Sequence, residues 1–251
     1  CSITKFGQEA EVLGCKEKIE GSLNPGDHID DPRGRLQKVM GPKPVLELKG
    51  HIIGMTFMGV NGYIHPAIMY GEWKDWDGKP REKKPLFYHG VSQEGAQLLS
   101  DVSTEICNIA KHICKEFPEV DLSQVVHVHD WYKRCYPSDI EDKSTLYSSL
   151  RTNSAYNGLT HPCTTDANGH FLPDYKFRYL TEDIPFGLAV IKGIAEIAEM
   201  ATPKIDQLLT WAQSCMGKQY IVDGKFKGKD MPESRSPQAF GVNNMKIMLG
   251  L

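Results

Sequence analysis

The sequence lacks any uninterrupted apolar run of about 18 residues. Even Ile52 to Met69 is broken by Gly54, Gly59, Asn61, Gly62 and Pro66, so no membrane span is expected. It also lacks GxGxxG, P-loop and HExxH patterns, so no motif announces a nucleotide-phosphate cradle or a zinc-protease helix. Its seven cysteines, Cys1, Cys15, Cys107, Cys114, Cys135, Cys163 and Cys215, form an odd set without a CxxC pair. That pattern speaks against a disulfide framework and for reduced thiols in the cytoplasm. Neither sign of charge dominates: 29 Lys+Arg against 32 Asp+Glu leave -3. Without a basic surface or polybasic arm, nucleic acid and lipid surfaces are not expected partners. The chain opens on Cys1 with no initiator Met and no signal-like region ahead of it, and it reads as a fragment.

What is present suits a globular protein. With 251 residues, 40% hydrophobic and 24% charged, the chain can build one large or two smaller cores. "EAEVLGCK" (residues 9–16) reads as a short strand ending at Gly14. "GSLNPGDHIDDPRG" (residues 21–34) reads as a loop or linker, which places a boundary within residues 20–50. From His51 onward the pattern is helical. Leu99, Val102, Ile106, Ile109 and Ile113 repeat at three and four, with Ser92 as the cap, Glu94 in the first turn and Pro118 just past the end. A second helix is expected after Thr181, and a third over about Pro203 to Met216, stopping at Gly217. The charged "KPREKKP" (residues 79–85) reads as a solvated loop.

Three constellations can carry chemistry. "NGYIHPAIMYGEW" (residues 61–73) sets His65 before a proline inside an otherwise buried run. A core histidine is tolerable when both ring nitrogens find partners, whereas one at a cleft wall can trade protons near neutral pH. "RYLTEDIPFG" (residues 178–187) offers Thr181 as an N-cap, with Glu182 and Asp183 in the first turn of a capped helix. An aspartate facing a histidine would also fix its tautomer, and Arg178 has the fork to hold a carboxylate. "HVHDWY" (residues 127–132) spaces two histidines as only a strand would align them, and no third ligand is near, so no metal site is expected. Its Trp131 is either a core aromatic or the wall of a ligand pocket. Cys107 and Cys114, at i and i+7, read as small core residues.

"GYIHPAIMYGEW", "DWDGKP", "LFYHGV", "YNGLTHP", "RYLTEDIPFGLAVIKG" and "KDMPESRSPQAFG" occur in that order along the chain. Taken together, they resemble the octopine-type opine dehydrogenases of marine invertebrates. The resemblance implies a mainly α fold: the helical C-terminal domain of a two-domain dehydrogenase, preceded by the tail of an α/β Rossmann domain. Residues 1–50 would be the end of the NADH-binding domain and its linker, and residues 51–251 the helical domain that brings the amino acid. The glycine fingerprint would lie upstream of Cys1. By the same resemblance His65 is the catalytic histidine, Asp183 its orienting aspartate and Arg178 the pyruvate-carboxylate arginine. Cys1 and Trp131 are matched to residues near the cleft and the amino-acid pocket. The implied reaction joins pyruvate and an amino acid, L-arginine or a small one, and reduces the imine with NADH, regenerating NAD in anaerobic glycolysis. A monomer is the implied state.

Two other readings compete. A 3-hydroxy-acid or sugar-phosphate dehydrogenase would use a lysine for proton transfer, and no lysine sits in a comparable constellation: Lys192 lies on the amphipathic helix after Asp183. A non-catalytic helical interaction module would not bring His65, Asp183 and Arg178 together. The amino-acid substrate is not legible in the residues, and the glycines Gly54, Gly59 and Gly62 serve either close packing or motion.

Overall fold

The computed structural model describes residues 2–5, 7–11, 18–23 and 30–251. An antiparallel pair, β1 (Ser2–Lys5) and β2 (Glu9–Glu11), comes first. The remaining residues of the strand read from "EAEVLGCK" lie outside the described residues, as does Cys1. Next, β3 (Lys18–Gly21) runs parallel to β4 (Val45–Leu48), with helix α1 (Pro32–Met40) between them in sequence. Parallel neighbours need a crossover because a tight turn reverses the chain. This corrects the reading of residues 21–34 as a loop throughout, since their last residues begin α1. The Asp31 carboxylate accepts the Gly34 N–H at 3.0 Å, and Pro32 stands where a missing N–H loses nothing. Gln37 ties α1 to β4, donating to the carbonyls of Gly41 and Pro44 and accepting from the Leu46 N–H at 2.7 Å.

From residue 52 the described chain is mainly helical: α2 (Ile52–Phe57), α3 (Asn61–Trp73), α4 (Gln93–Glu116), α5 (Val128–Cys135) and α6 (Leu146–Arg151). A small hairpin of β5 (Cys163–Thr165) and β6 (Phe171–Pro173) leads to α7 (Arg178–Thr181), α8 (Ala189–Ile197), α9 (Pro203–Met216) and α10 (Met245–Leu249). Among the described residues no helix is long and apolar enough to cross a membrane.

Helix α4 carries the expected stripe: Leu99, Val102, Ile106, Ile109 and Ile113 are all buried. Ser92 caps it by accepting the Gly95 N–H at 3.0 Å. Burying each such side chain contributes about 1.5–3 kcal/mol relative to exposure. Helix α3 is apolar on nearly every side and is therefore the central element, with Tyr63, Ile64, Ala67, Ile68, Met69 and Trp73 all buried. It meets α4 backbone to backbone, for a Cβ on Gly71 would fall 2.8 Å from the Gly95 Cα. Gly54 likewise leaves room for Gln124, which donates to the His51 carbonyl at 2.9 Å. Glu105 of α4 anchors α9 by accepting the N–H groups of Lys204 and Ile205 at 2.8 and 2.9 Å.

Residues 178–197 depart from expectation in an informative way. Thr181 is not an N-cap. It ends α7, its hydroxyl donates to the Lys176 carbonyl at 3.3 Å, and the helix has already started behind extended Phe177. Between α7 and α8 lies a π-helical turn, Ile184–Leu188. Pro185 has no N–H for the i−4 ladder, and the ladder slips by one residue: Ala189 donates to Ile184, five residues back. The Pro185 carbonyl accepts the Arg235 N–H at 3.0 Å. Helix α9 spans the bounds read from the sequence and stops at Gly217 with φ 65.

Candidate active site

His65 sits in the middle of α3, just before Pro66, and is only 7% exposed. Its Nδ1 lies 2.7 Å from Asp183 Oδ2, and its Nε2 lies 3.0 Å from the Tyr88 hydroxyl. The Tyr179 ring stacks on the imidazole with centroids 3.8 Å apart and planes 16° apart. A carboxylate accepts only, so Nδ1 carries the proton; Nε2 is then an acceptor and Tyr88 donates to it. Burial pushes the Tyr88 phenol far above its ordinary pKa, which keeps that proton on the oxygen. Burial also pushes the Asp183 carboxyl above its usual range, and the His65 hydrogen bond opposes this by favouring the anion.

The distance between the two partners is fixed by glycine. A Cβ on Gly187 would fall 2.8 Å from the Gly62 Cα, and one on Gly62 would fall 3.0 Å from the Gly187 Cα. Helix α3 and the π-turn therefore touch backbone to backbone. His65 follows Gly62 by one turn of α3, and Asp183 immediately precedes the turn that contains Gly187. Gly62 thus provides close packing.

Arg178 lies on α7, one turn ahead of Asp183. Its Nε is 3.4 Å from Glu182 Oε2, both side chains are more than half exposed, and its charge favours the Asp183 anion. Such an exposed pair is worth about 0–1 kcal/mol, which leaves the guanidinium available to a better carboxylate. Trp131, on α5, is half-buried and edge-on to Tyr132 and Tyr136. Those rings continue through Tyr156 to Tyr88, so Trp131 is the outer end of an aromatic file that ends at His65.

Other histidines and cations marked in the sequence have local tasks. His127 caps α5 and reaches Ser100, and His129 meets the Ser149 hydroxyl at 3.0 Å; the two do not share a strand face. Lys192 is buried, with its ammonium on Glu196 at 3.0 Å, Asp206 at 2.8 Å and Thr202 at 3.1 Å. Three donors on three acceptors make it a structural cation. Within the charged loop Arg81 is less free than expected, because it pairs with Glu72 at 2.9 Å and lies over the Trp73 ring. Cys107 and Cys114 are half-buried.

Tyr88, Tyr179 and Phe87 carry no signal of their own in the sequence. Phe87 and Tyr88 lie in "LFYHGV" and Tyr179 in "RYLTEDIPFG", so the segments were marked but the rings were not.

The chain is similar to several known proteins. The family model described as NAD/NADP octopine/nopaline dehydrogenase, alpha-helical domain, matches residues 48–216. Tauropine dehydrogenase of Arabella iricolor is 52% identical over 251 residues, covering 99% of this chain and 63% of that protein. Octopine dehydrogenase of Pecten maximus is 42% identical over 250 residues, covering 99% of this chain and 62% of that protein. A solved structure of octopine dehydrogenase with NADH and L-arginine superposes with a TM-score of 0.91 at 41% identity, over 98% of this chain and 61% of that one. The form with NADH and pyruvate gives 0.87 at 39% identity, over 99% and 61%. The chain thus spans less than two thirds of the length of these relatives. It belongs to the octopine/nopaline dehydrogenase family and carries that family's alpha-helical domain.

Proposed function

We propose that this chain is the substrate-holding part of an opine dehydrogenase, which condenses pyruvate with an amino acid and reduces the product with NADH. The observation that carries the reading is the buried His65–Asp183 pair at 2.7 Å, with an available guanidinium, Arg178, one turn away. Residues 1–50 are read as the end of the NADH-binding domain, to which the parallel β3–α1–β4 unit is suited. The enzyme is placed in the cytoplasm as a monomer, and the free thiols of Cys107, Cys114, Cys163 and Cys215 accord with a reducing compartment.

The residues present fit the substrates' end of the reaction; the sequence has no glycine loop for a dinucleotide's phosphates. Bound NADH supplies the hydride. His65 takes a proton from the incoming ammonium, which frees the amine lone pair to attack the keto carbon. Asp183 holds the ring in the tautomer that leaves Nε2 basic and stabilises the imidazolium that forms. The histidine then returns a proton to the departing carbinol oxygen. Arg178 grips the keto-acid carboxylate, and by fixing its orientation presents one face to reduction. Trp131 is assigned to the wall of the amino-acid pocket.

The test is pyruvate-dependent NADH oxidation by the full-length protein across a panel holding arginine, alanine, glycine and taurine. Turnover with at least one member is expected, and inactivity with all of them would overturn the reading. In the active pairing Arg178→Lys keeps the charge but loses the fork. It is expected to lower kcat/KM for pyruvate by roughly 10- to 150-fold, as for a lost charged hydrogen bond.

A further inference from the structure

His65 is enclosed on the side where a substrate would need it. Nδ1 is held by Asp183 at 2.7 Å, one ring face is covered by Tyr179 at 3.8 Å, and Nε2 receives the Tyr88 hydroxyl at 3.0 Å. Tyr88 is not a loose cover. Its ring stacks on Tyr156 with centroids 3.8 Å apart and planes 14° apart, and it stands edge-on to Phe87 at 4.9 Å and 88°. Only 7% of the residue is exposed. A proton bound for Nε2 therefore either meets the Tyr88 oxygen first or must dislodge a ring wedged between two others. A phenol that donates to Nε2 still has lone pairs with which to accept.

We propose that Tyr88 is a catalytic residue of the reaction inferred above, relaying the substrate's proton to His65. The proposal rests on the opine dehydrogenase reading. In the forward step an N–H bond of the substrate ammonium breaks as an O–H bond forms at Tyr88, and the original Tyr88 O–H bond breaks as an N–H bond forms at His65 Nε2. The phenol ends neutral, and the positive charge rests on the imidazole beside Asp183. When the carbinol oxygen leaves, the relay runs backwards: Nε2 returns its proton to Tyr88, Tyr88 gives its own to the hydroxyl, and water departs. Burial disfavours the phenolate, so the two transfers occur together and no tyrosinate accumulates.

The experiment uses the full-length protein with the amino acid that turns over in the panel. Tyr88→Phe removes the oxygen and keeps the ring. It is expected to lower kcat on the order of 100-fold, with the KM for pyruvate changed by less than about threefold, since the lost contact serves the transition state. A Tyr88→Phe enzyme as fast as wild type while wild type remains active overturns the relay and leaves the opine reading standing; a wild type inactive with every amino acid overturns the opine reading itself. A crystal structure of wild type with NADH, pyruvate and that amino acid tests the relay without the variant. The relay places the Tyr88 oxygen within about 3.2 Å of the amine with its bond to Nε2 kept. An amine bonded directly to Nε2, with Tyr88 displaced, would overturn it.

Discussion

His161, one ring removed from His65 through Phe87, shows how a single residue can set a pH limit without a role in the proton transfer proposed above. It is buried, accepts the Trp73 indole N–H at its Nδ1 at 3.1 Å, and meets the Phe87 ring edge-on. Burial, aided by the Arg81 charge, pushes its pKa down to about 3. The unfolded chain takes up a proton near pH 6.5 whereas the folded chain refuses it, so stability is intact above about 6.5 and drains as pH falls toward 3. The slope is roughly 1.4 kcal/mol per pH unit for this one group. His161→Gln keeps an acceptor for Trp73 without a titrating ring. Urea unfolding from pH 7 to pH 4 is expected to show wild type losing stability more steeply by that slope, and parallel curves would show that His161 is not the group responsible. The residue scale was partly legible in the sequence. His65 stands out because a histidine before a proline is out of place in an apolar run, whereas Asp183 and Arg178 read equally as members of a capped helix, and only the resemblance links them to His65 and a carboxylate. Tyr88 and Tyr179 did not stand out, since a ring that supports a catalytic histidine has the same composition and surroundings as a ring that fills a core.

At the scale of elements, the π-turn Ile184–Leu188 places Asp183. Pro185 interrupts the regular ladder, the Arg235 N–H donates to the Pro185 carbonyl, and Gly187 lets the turn press on Gly62. A Gly187→Ala methyl would sit 2.8 Å from the Gly62 Cα, against backbone that has no rotamer with which to yield. Overpacking of this kind costs about 1–3 kcal/mol. The expected outcome is a lower denaturation midpoint together with a lower kcat, because the two helices separate along the line that joins His65 to Asp183. A variant with unchanged stability and rate would mean that the glycine contact does not hold the pair. Helices α4 and α9 could be read almost to the residue, because apolar period, Ser cap, N-terminal proline and C-terminal glycine are all local signals. The π-turn and α1 could not. In the first, Pro185 lies inside an apolar run that continues into α8, and the Arg235 N–H that meets its carbonyl is distant in sequence; in the second, Asp31 and Pro32 look like loop residues until the helix they start is counted.

For the whole molecule, a central helix surrounded by helices suits a site that must hold one geometry. Helix α3 is buried on nearly all sides, so His65 is set in a closely packed part of the described chain, and Asp183 arrives from an element bound to it by glycine packing. On the proposed mechanism His65 and Asp183 act as one proton-transfer unit. The most direct test is a double-mutant cycle on kcat in the full-length enzyme with His65→Ala, Asp183→Asn and the two combined. Each single change is expected to lower kcat, His65→Ala by on the order of 100- to 10,000-fold, and the combined variant should be no slower than the slower single one, because removing a unit twice removes nothing more. Losses that multiply in the combined variant would mean that the two residues act independently, and would contradict the account.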